Sequence, residues 1–222
     1  MFVQSLNTES LAQYVTKQIN FNFPDRVIPV GELIFFMKTA LQRTEYCFSK
    51  INIKYFFNGK HVFFNHLNTD QYAVFLYYLS NTIWNEISDE KLASKVYYLN
   101  KALHSLDIFY EIKLPDIFLL VHSVGTVLGR GDYQDNLVVY QRVTVGADKN
   151  DKYPVLGKGV TMYGGSAVIG DCRIGNNCLV SMGTIVMDKD IPDNMVVFKR
   201  NSQILYKTTK KSVIERYFIS SE

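Results

Sequence analysis

Apolar positions divide the chain into two regimes. Through the first half they recur at helical spacing. In "TESLAQYVTKQI" Leu11, Tyr14, Val15 and Ile19 share one face behind an N-cap type start at Thr8. "GELIFFMKTALQRTEYCFSKI" and "DQYAVFLYYLSNTIWNEI" predict two further helices, amphipathic or largely buried. Asp89 and Glu90 head a fourth, "DEKLASKVYYLNKALHSL". Between the second and third, "NIKYFFNGKHVFFNH" sets an NGK turn between aromatic runs, which predicts a small hairpin. The aromatic stripes of this half predict core packing.

After residue 107 the helical spacing stops and a count of six takes over. Leu156, Met162, Val168, Ile174, Val180 and Val186 are apolar and six apart. The fifth position of each six is small or β-branched: Val160, Ser166, Cys172, Cys178 and Thr184. Gly or Asn recurs between them and takes turn conformations that are costly for other residues. A chain coiling in short extended segments produces this pattern. One apolar residue per segment points inward, and three segments close a coil of about eighteen residues. Leu156 should then stack under Ile174, Met162 under Val180 and Val168 under Val186. Backwards, Leu114, Leu120 and Thr126 are six apart, as are Leu137 and Val143. The eleven from Thr126 to Leu137 imply a residue missing in "GRGDYQDN". The thirteen from Val143 to Leu156 imply an extruded loop at about 149–155. The predicted organisation is α+β: a helical N-terminal domain over 1–106, a β-helix of hexapeptide repeats over 107–198, and a basic tail with a short helix over 199–222.

Composition changes this picture little. Hydrophobic content of 47% and charged content of 20% fit an ordinary globular chain. A net charge of +3, well spread, gives no argument for a nucleic-acid partner. The longest apolar runs, "AVFLYYLS" and "IFLLVH", are too short for a membrane span. The N-terminus shows no basic region followed by an apolar core, so a cytoplasmic protein is expected. Cys47, Cys172 and Cys178 lack metal-ligand spacing and predict reduced thiols packed as small apolar groups.

Four stretches resemble one family: "DIFYEIKLPDIFLLVHSVG", "LVVYQRVTVGA", "DKYPVLGKGVTMYGGSAVIGD" and "SMGTIVMDKDIPDNMVV". The chain is similar over about 100–204 to the hexapeptide-repeat acyltransferases, within them to the serine O-acetyltransferase branch. The resemblance implies a left-handed parallel β-helix and a homotrimer, in some members paired into a hexamer. It implies acetyl-CoA as co-substrate in the groove between neighbouring prisms, and no metal. His122, fifteen residues after Asp107, falls at the family's catalytic histidine. Acetyl transfer to an alcohol needs a base for the hydroxyl proton, and imidazole has a suitable pKa. Asp107 is expected to orient that ring, with Glu111 or Asp116 as substitutes. His61, His66 and His104 lie in the helical half, outside the motif. By resemblance Gly146, Ala147, Gly164 and Met182 line the pantetheine path. The basic residues Lys199, Arg200, Lys207, Lys210 and Lys211 can meet the phosphates of CoA.

Departures from the family bear on the acceptor. Val121 stands where the family has an Asp before its histidine, and Lys152-Tyr153 stands for its Arg-His. With Gln141 these are the expected acceptor-binding positions. An apolar Val121 cannot pair with an ammonium, and Tyr153 carries no charge. The expected acceptor is therefore a carbohydrate hydroxyl in bacterial surface-polysaccharide synthesis. The alternatives are serine in cysteine biosynthesis, a sugar amine, or a non-catalytic trimeric scaffold.

Overall fold

The structure is a computed structural model that describes residues 1–201, 203–209 and 211–219. Strand β1 (Phe2–Gln4) precedes helix α1 (Thr8–Asn22), α2 (Val30–Ser49), β2 (Val62–Phe64), α3 (Thr69–Ile87) and α4 (Glu90–His104). The first cap is Asn7 rather than Thr8: its side chain accepts from Ser10 N at 2.8 Å. Asp89 caps α4 through Leu92 N at 3.0 Å, as its position in the sequence suggested. The NGK segment does reverse the chain, with one antiparallel bridge, Phe57 to Val62. The main partner of β2, however, is β1, in parallel. Helix α3 is buried on every side from Gln71 to Ile83.

The second half is a parallel β-helix of about four coils. Strands β3 (Phe118–Val121), β4 (Val127–Leu128) and β5 (Asp132–Tyr133) make the first. Strands β6 (Leu137–Tyr140), β7 (Thr144–Gly146) and β8 (Val155–Leu156) make the second, and β9 (Thr161–Met162), β10 (Ala167–Ile169) and β11 (Arg173–Ile174) the third. The last contains β12 (Leu179–Val180) and β13 (Ile185–Met187). The chain then leaves through the hairpin β14 (Met195–Arg200) and β15 (Gln203–Thr208) and the short helix α5 (Val213–Tyr217). Three sheets result. The first runs β15-β14-β12-β9-β6-β3, the second β13-β10-β7-β4 and the third β11-β8-β5.

The stacks expected from the count of six are present: Leu156 pairs with Ile174, Met162 with Val180 and Val168 with Val186. The earlier count was out of frame. Val139, not Leu137, pairs with Met162, and Val145, not Val143, pairs with Val168. Below them Leu120 pairs with Val139 and Leu128 with Val145. Thr126 and Val143 are instead corner residues, buried beneath Ser166 and Thr184. The shortened step lies between Leu128 and Tyr133, inside the segment that lacked a residue. The extruded loop ends earlier than expected, because Val155 already belongs to β8. All three cysteines are buried and free, as anticipated.

Two seams join the halves. At the first, Tyr77 on α3 donates to Ile112 O at 2.8 Å and accepts from Leu114 N at 2.9 Å. Asn81 donates to Tyr110 O at 2.7 Å. Asp107 opens the β-helix by bridging Val127 in parallel, and its carboxylate is held by Tyr97 Oη and Lys101 Nζ of α4, both at 2.6 Å. Partial burial of Asp107 opposes its charge, but the Lys101 and Tyr97 hydrogen bonds outweigh it and hold the carboxyl below its usual range. At the second seam, Phe218 forms an antiparallel bridge with Ile51, and Ile219 N donates to Lys50 O at 2.9 Å. The expected basic tail with a short helix contains the hairpin strand β15 and helix α5, and it is docked as a strap up to Ile219. Lys210 lies outside the described residues.

Leu156 is fully buried between Tyr133 and Ile174. Leu156→Ala should cost about 2–5 kcal/mol in urea unfolding. A cost below 1 kcal/mol would mean that the coils do not share one core. Because Asp107 has a lowered pKa in the fold, its stabilising contribution is present above about 3.8 and is lost as pH falls through the lower folded value. The stability difference between wild type and Asp107→Asn should therefore shrink as pH drops below about 3.8, measured by urea unfolding at each pH. A pH-independent difference would contradict this.

Candidate active site

One corner of the β-helix departs from the others. Where the first sheet passes to the second, later coils turn through Gln141-Arg142, Gly164-Gly165 and Met182-Gly183. Gly125, Arg142, Gly165 and Gly183 stack in one column, each with a left-handed backbone at φ of 72°, 55°, 71° and 66°. Backbone bonds fix this register: Arg142 N donates to Val124 O, Gly165 N to Gln141 O and Gly183 N to Gly164 O. The first coil, however, places four residues, His122 to Gly125, between Val121 and Thr126. His122 and Ser123 are therefore a two-residue excursion that the other coils lack.

The excursion exposes the His122 side chain while burying Ser123. His122 has a φ of 52°, a region that non-glycine residues seldom occupy. Its carbonyl accepts from Val124 N at 2.7 Å. Its N–H donates to Asp70 Oδ2 at 3.0 Å, and Ser123 N donates to Asp70 Oδ1 at 3.3 Å. His122 lines a cavity of about 220 Å³ together with Asp70, His104, Ser105, Ser123 and Val124. Asp70, His104 and Ser105 come from the helical half. His104 Nδ1 lies 2.8 Å from Asn100 Oδ1, and the Asn100 amide group donates to Ala73 O. Nδ1 is therefore the donor in that contact. Burial, the largest influence, pushes His104 below the usual histidine value and favours the neutral form.

The other expected residues distribute over three places. Val121 is half-buried at the end of β3, beside the excursion. Gln141, Gly164 and Met182 form the column next to it, above Val124. A side chain at Gly164 would come within 2.8 Å of Gln141 Nε2, so glycine there lets the Gln141 amide pack against the corner. Gln141 Oε1 is buried without a partner among the described residues. Met182 is 76% exposed. Gly146 and Ala147 sit at the far edge of the second sheet, roughly 13 Å away along the strands, four residues at about 3.3 Å each. The loop carrying Lys152 and Tyr153 leaves from that far edge. Asp148 ties it by accepting from Asn150 N at 2.8 Å and Lys152 N at 2.9 Å. Lys199 and Arg200 are exposed at the end of β14.

Two expectations change. Both oxygens of Asp107 are engaged by Tyr97 and Lys101, and no hydrogen bond joins Asp107 to His122 among the described residues. Lys152 and Tyr153 do not share the His122 cavity within one chain. The sequence also gave no sign of Asp70 or His104 as walls of that cavity. "NTDQ" marks a helix start, and nothing local tells which β-helix corner it will meet. No group of metal-ligating side chains occurs among the described residues. No described helix is long and apolar enough to cross a membrane.

No protein-family model matches the chain. In sequence it is 28% identical over 141 residues to a serine acetyltransferase of Buchnera aphidicola subsp. Schizaphis graminum, covering 61% of this chain and 53% of that protein. It is 26% identical over 118 residues to a serine acetyltransferase of Synechococcus elongatus, covering 50% and 47%. The chain thus spans about half the length of the curated relatives it matches. In structure it resembles serine acetyltransferase from Brucella abortus, with a TM-score of 0.69 at 18% identity over 92% of this chain and 86% of that one. The Neisseria gonorrhoeae serine acetyltransferase gives 0.69 at 16%, over 94% and 82%. A serine acetyltransferase solved as a complex with CoA gives 0.67 at 15%, over 90% and 85%. N-terminal helices followed by a left-handed parallel β-helix are thus the architecture of this chain. In sequence and fold it is similar to the serine O-acetyltransferase branch of the hexapeptide-repeat acyltransferases.

Proposed function

We propose that this protein is an acetyl-CoA-dependent O-acetyltransferase whose acceptor is the hydroxyl of serine. The observation that carries the proposal is the exposed His122 excursion, set in a stretch similar to proteins named serine acetyltransferases. The carbohydrate acceptor expected from the sequence has no counterpart among the relatives described above. It stays as the second reading because Val121 and Tyr153 supply no charge for an amino acid.

Acetyl-CoA, when bound, supplies an activated acetyl group as a thioester. The glycine-lined corner fits such a co-substrate. A Cβ at Gly183 would meet nothing within 4 Å, so the backbone of that corner lies open to an extended arm, and at the far edge of the sheet one at Gly146 would meet only Ile169 Cδ1, at 3.8 Å. Gln141 Oε1 offers an unused acceptor in the same column as Gly164. Lys199 and Arg200 are assigned to the phosphates. His122 takes the proton of the acceptor hydroxyl as its oxygen bonds to the acetyl carbon, and returns that proton to the leaving thiolate. The orienting role is not given to Asp107, whose oxygens are occupied.

One protomer keeps His122 and the 147–154 loop at opposite edges of the second sheet. A neighbouring copy around a three-fold axis would bring its loop edge to His122, so the working site is assigned to a trimer. The outer face of that sheet suits contact between copies: Ile185 is 53% and Met187 57% exposed, beside Met182.

Release of CoA thiol should follow addition of serine to the protein with acetyl-CoA, and His122→Ala should lower kcat by about 10²–10⁴. Turnover with sugars or oligosaccharides alone would establish the second reading. Failure to bind acetyl-CoA would leave a scaffold. Ile185→Glu should shift the oligomer toward monomer in sedimentation and remove activity while the fold persists. An active Ile185→Glu monomer would contradict a site shared between copies.

A further inference from the structure

We propose that Asp70 is the positioning residue for His122, holding the catalytic turn from the helical half. This rests on the assignment of His122 as base. In a regular coil the backbone N–H groups at the corner find carbonyls of the neighbouring coil, as those of Arg142, Gly165 and Gly183 do. The two added residues of the first coil have no such neighbour. Their N–H groups are taken by one carboxylate instead: His122 N at 3.0 Å and Ser123 N at 3.3 Å, with Ser123 Oγ 3.4 Å from Asp70 Oδ1. Hydrogen bonds to a charged acceptor are the stronger kind, and two from adjacent residues fix the plane of the turn.

The local needs of α3 do not explain Asp70. Capping is done by Asn68, which accepts from Gln71 N at 3.2 Å. Asp70 sits in the first turn, where the helix dipole favours its charge, and reaches a partner 52 residues away. The clamp holds His122 in a left-handed conformation, which a free loop would leave. The titratable groups lining the cavity with His122 are Asp70 from α3 and His104, which ends α4. His104 turns Nδ1 to Asn100. Asp70 is therefore the only carboxylate bordering His122 in this cavity among the described residues. A contact that merely joined the two halves would have no reason to select both N–H groups of the excursion.

The test uses the full chain with Asp70→Ala and Asp70→Asn. Amide hydrogen exchange at His122 and Ser123 should rise about tenfold or more in Asp70→Ala, with β9–β13 unchanged. The kcat for CoA release should fall about tenfold or more, with the KM for acetyl-CoA within about twofold, because orientation rather than binding is lost. Asp70→Asn, which keeps one acceptor oxygen, should recover part of both. If protection is lost throughout Asp70→Ala, the same measurements on Asp70→Asn decide. Wild-type exchange at both amides would overturn the proposal, as would a loss confined to the KM for acetyl-CoA. Exchange is read without substrate. A wild-type protein that fails to turn over would therefore refute the acetyltransferase assignment and leave the clamp to be judged by exchange.

Discussion

Everything in the second half depends on one constraint: each inward side chain stacks on the equivalent side chain of the next coil. The parallel pairings of Leu120, Val139, Met162 and Val180 along one sheet set that register. Neighbouring strands lie about 4.8 Å apart, so a coil with extra residues cannot absorb them in the core and must expel them at a corner. The β-helix does this twice, in the 147–154 loop and at His122-Ser123. Both excursions carry residues proposed for function, while the regular coils supply the frame.

The helical half is more than an appendage. Helix α3 is buried all round because it packs against its neighbouring helices and holds the 107–116 segment through Tyr77 and Asn81. Its first turn delivers Asp70 to the His122 corner. The strap through Phe218 closes the other side, and Tyr217 Oη meets Tyr140 Oη at 3.0 Å. A corner with two residues in excess is thereby held from outside the β-helix.

Much of this was legible in the sequence. The six-residue spacing gave the stacks of the later coils, because there one apolar residue per segment suffices. It failed at Leu137 and Val143, since the two extra residues at His122-Ser123 shift the frame by two, while the missing residue before Tyr133 was counted correctly. Local spacing cannot distinguish a shifted frame from a regular one when Leu137, Val138 and Val139 are all apolar and all buried. The catalytic candidate His122 came from resemblance, and its exposure follows from the excursion. Its partners did not come from the sequence at all. Asp107 has the expected spacing but is captured by Lys101 and Tyr97 of a helix that precedes it. Asp70 reads locally as an ordinary helix start. Contacts between distant segments carry no periodic signal.

The proposed function places acetyl transfer at the His122 corner, in a groove completed by a neighbouring copy. A crystal structure of the assembled protein with bound CoA tests it most directly. The CoA sulfur should lie within hydrogen-bonding reach of His122, with the pantetheine arm along the Gly164 column and the 147–154 loop of a second copy facing the same cavity. CoA bound away from His122, or a complete site within one isolated chain, would contradict it.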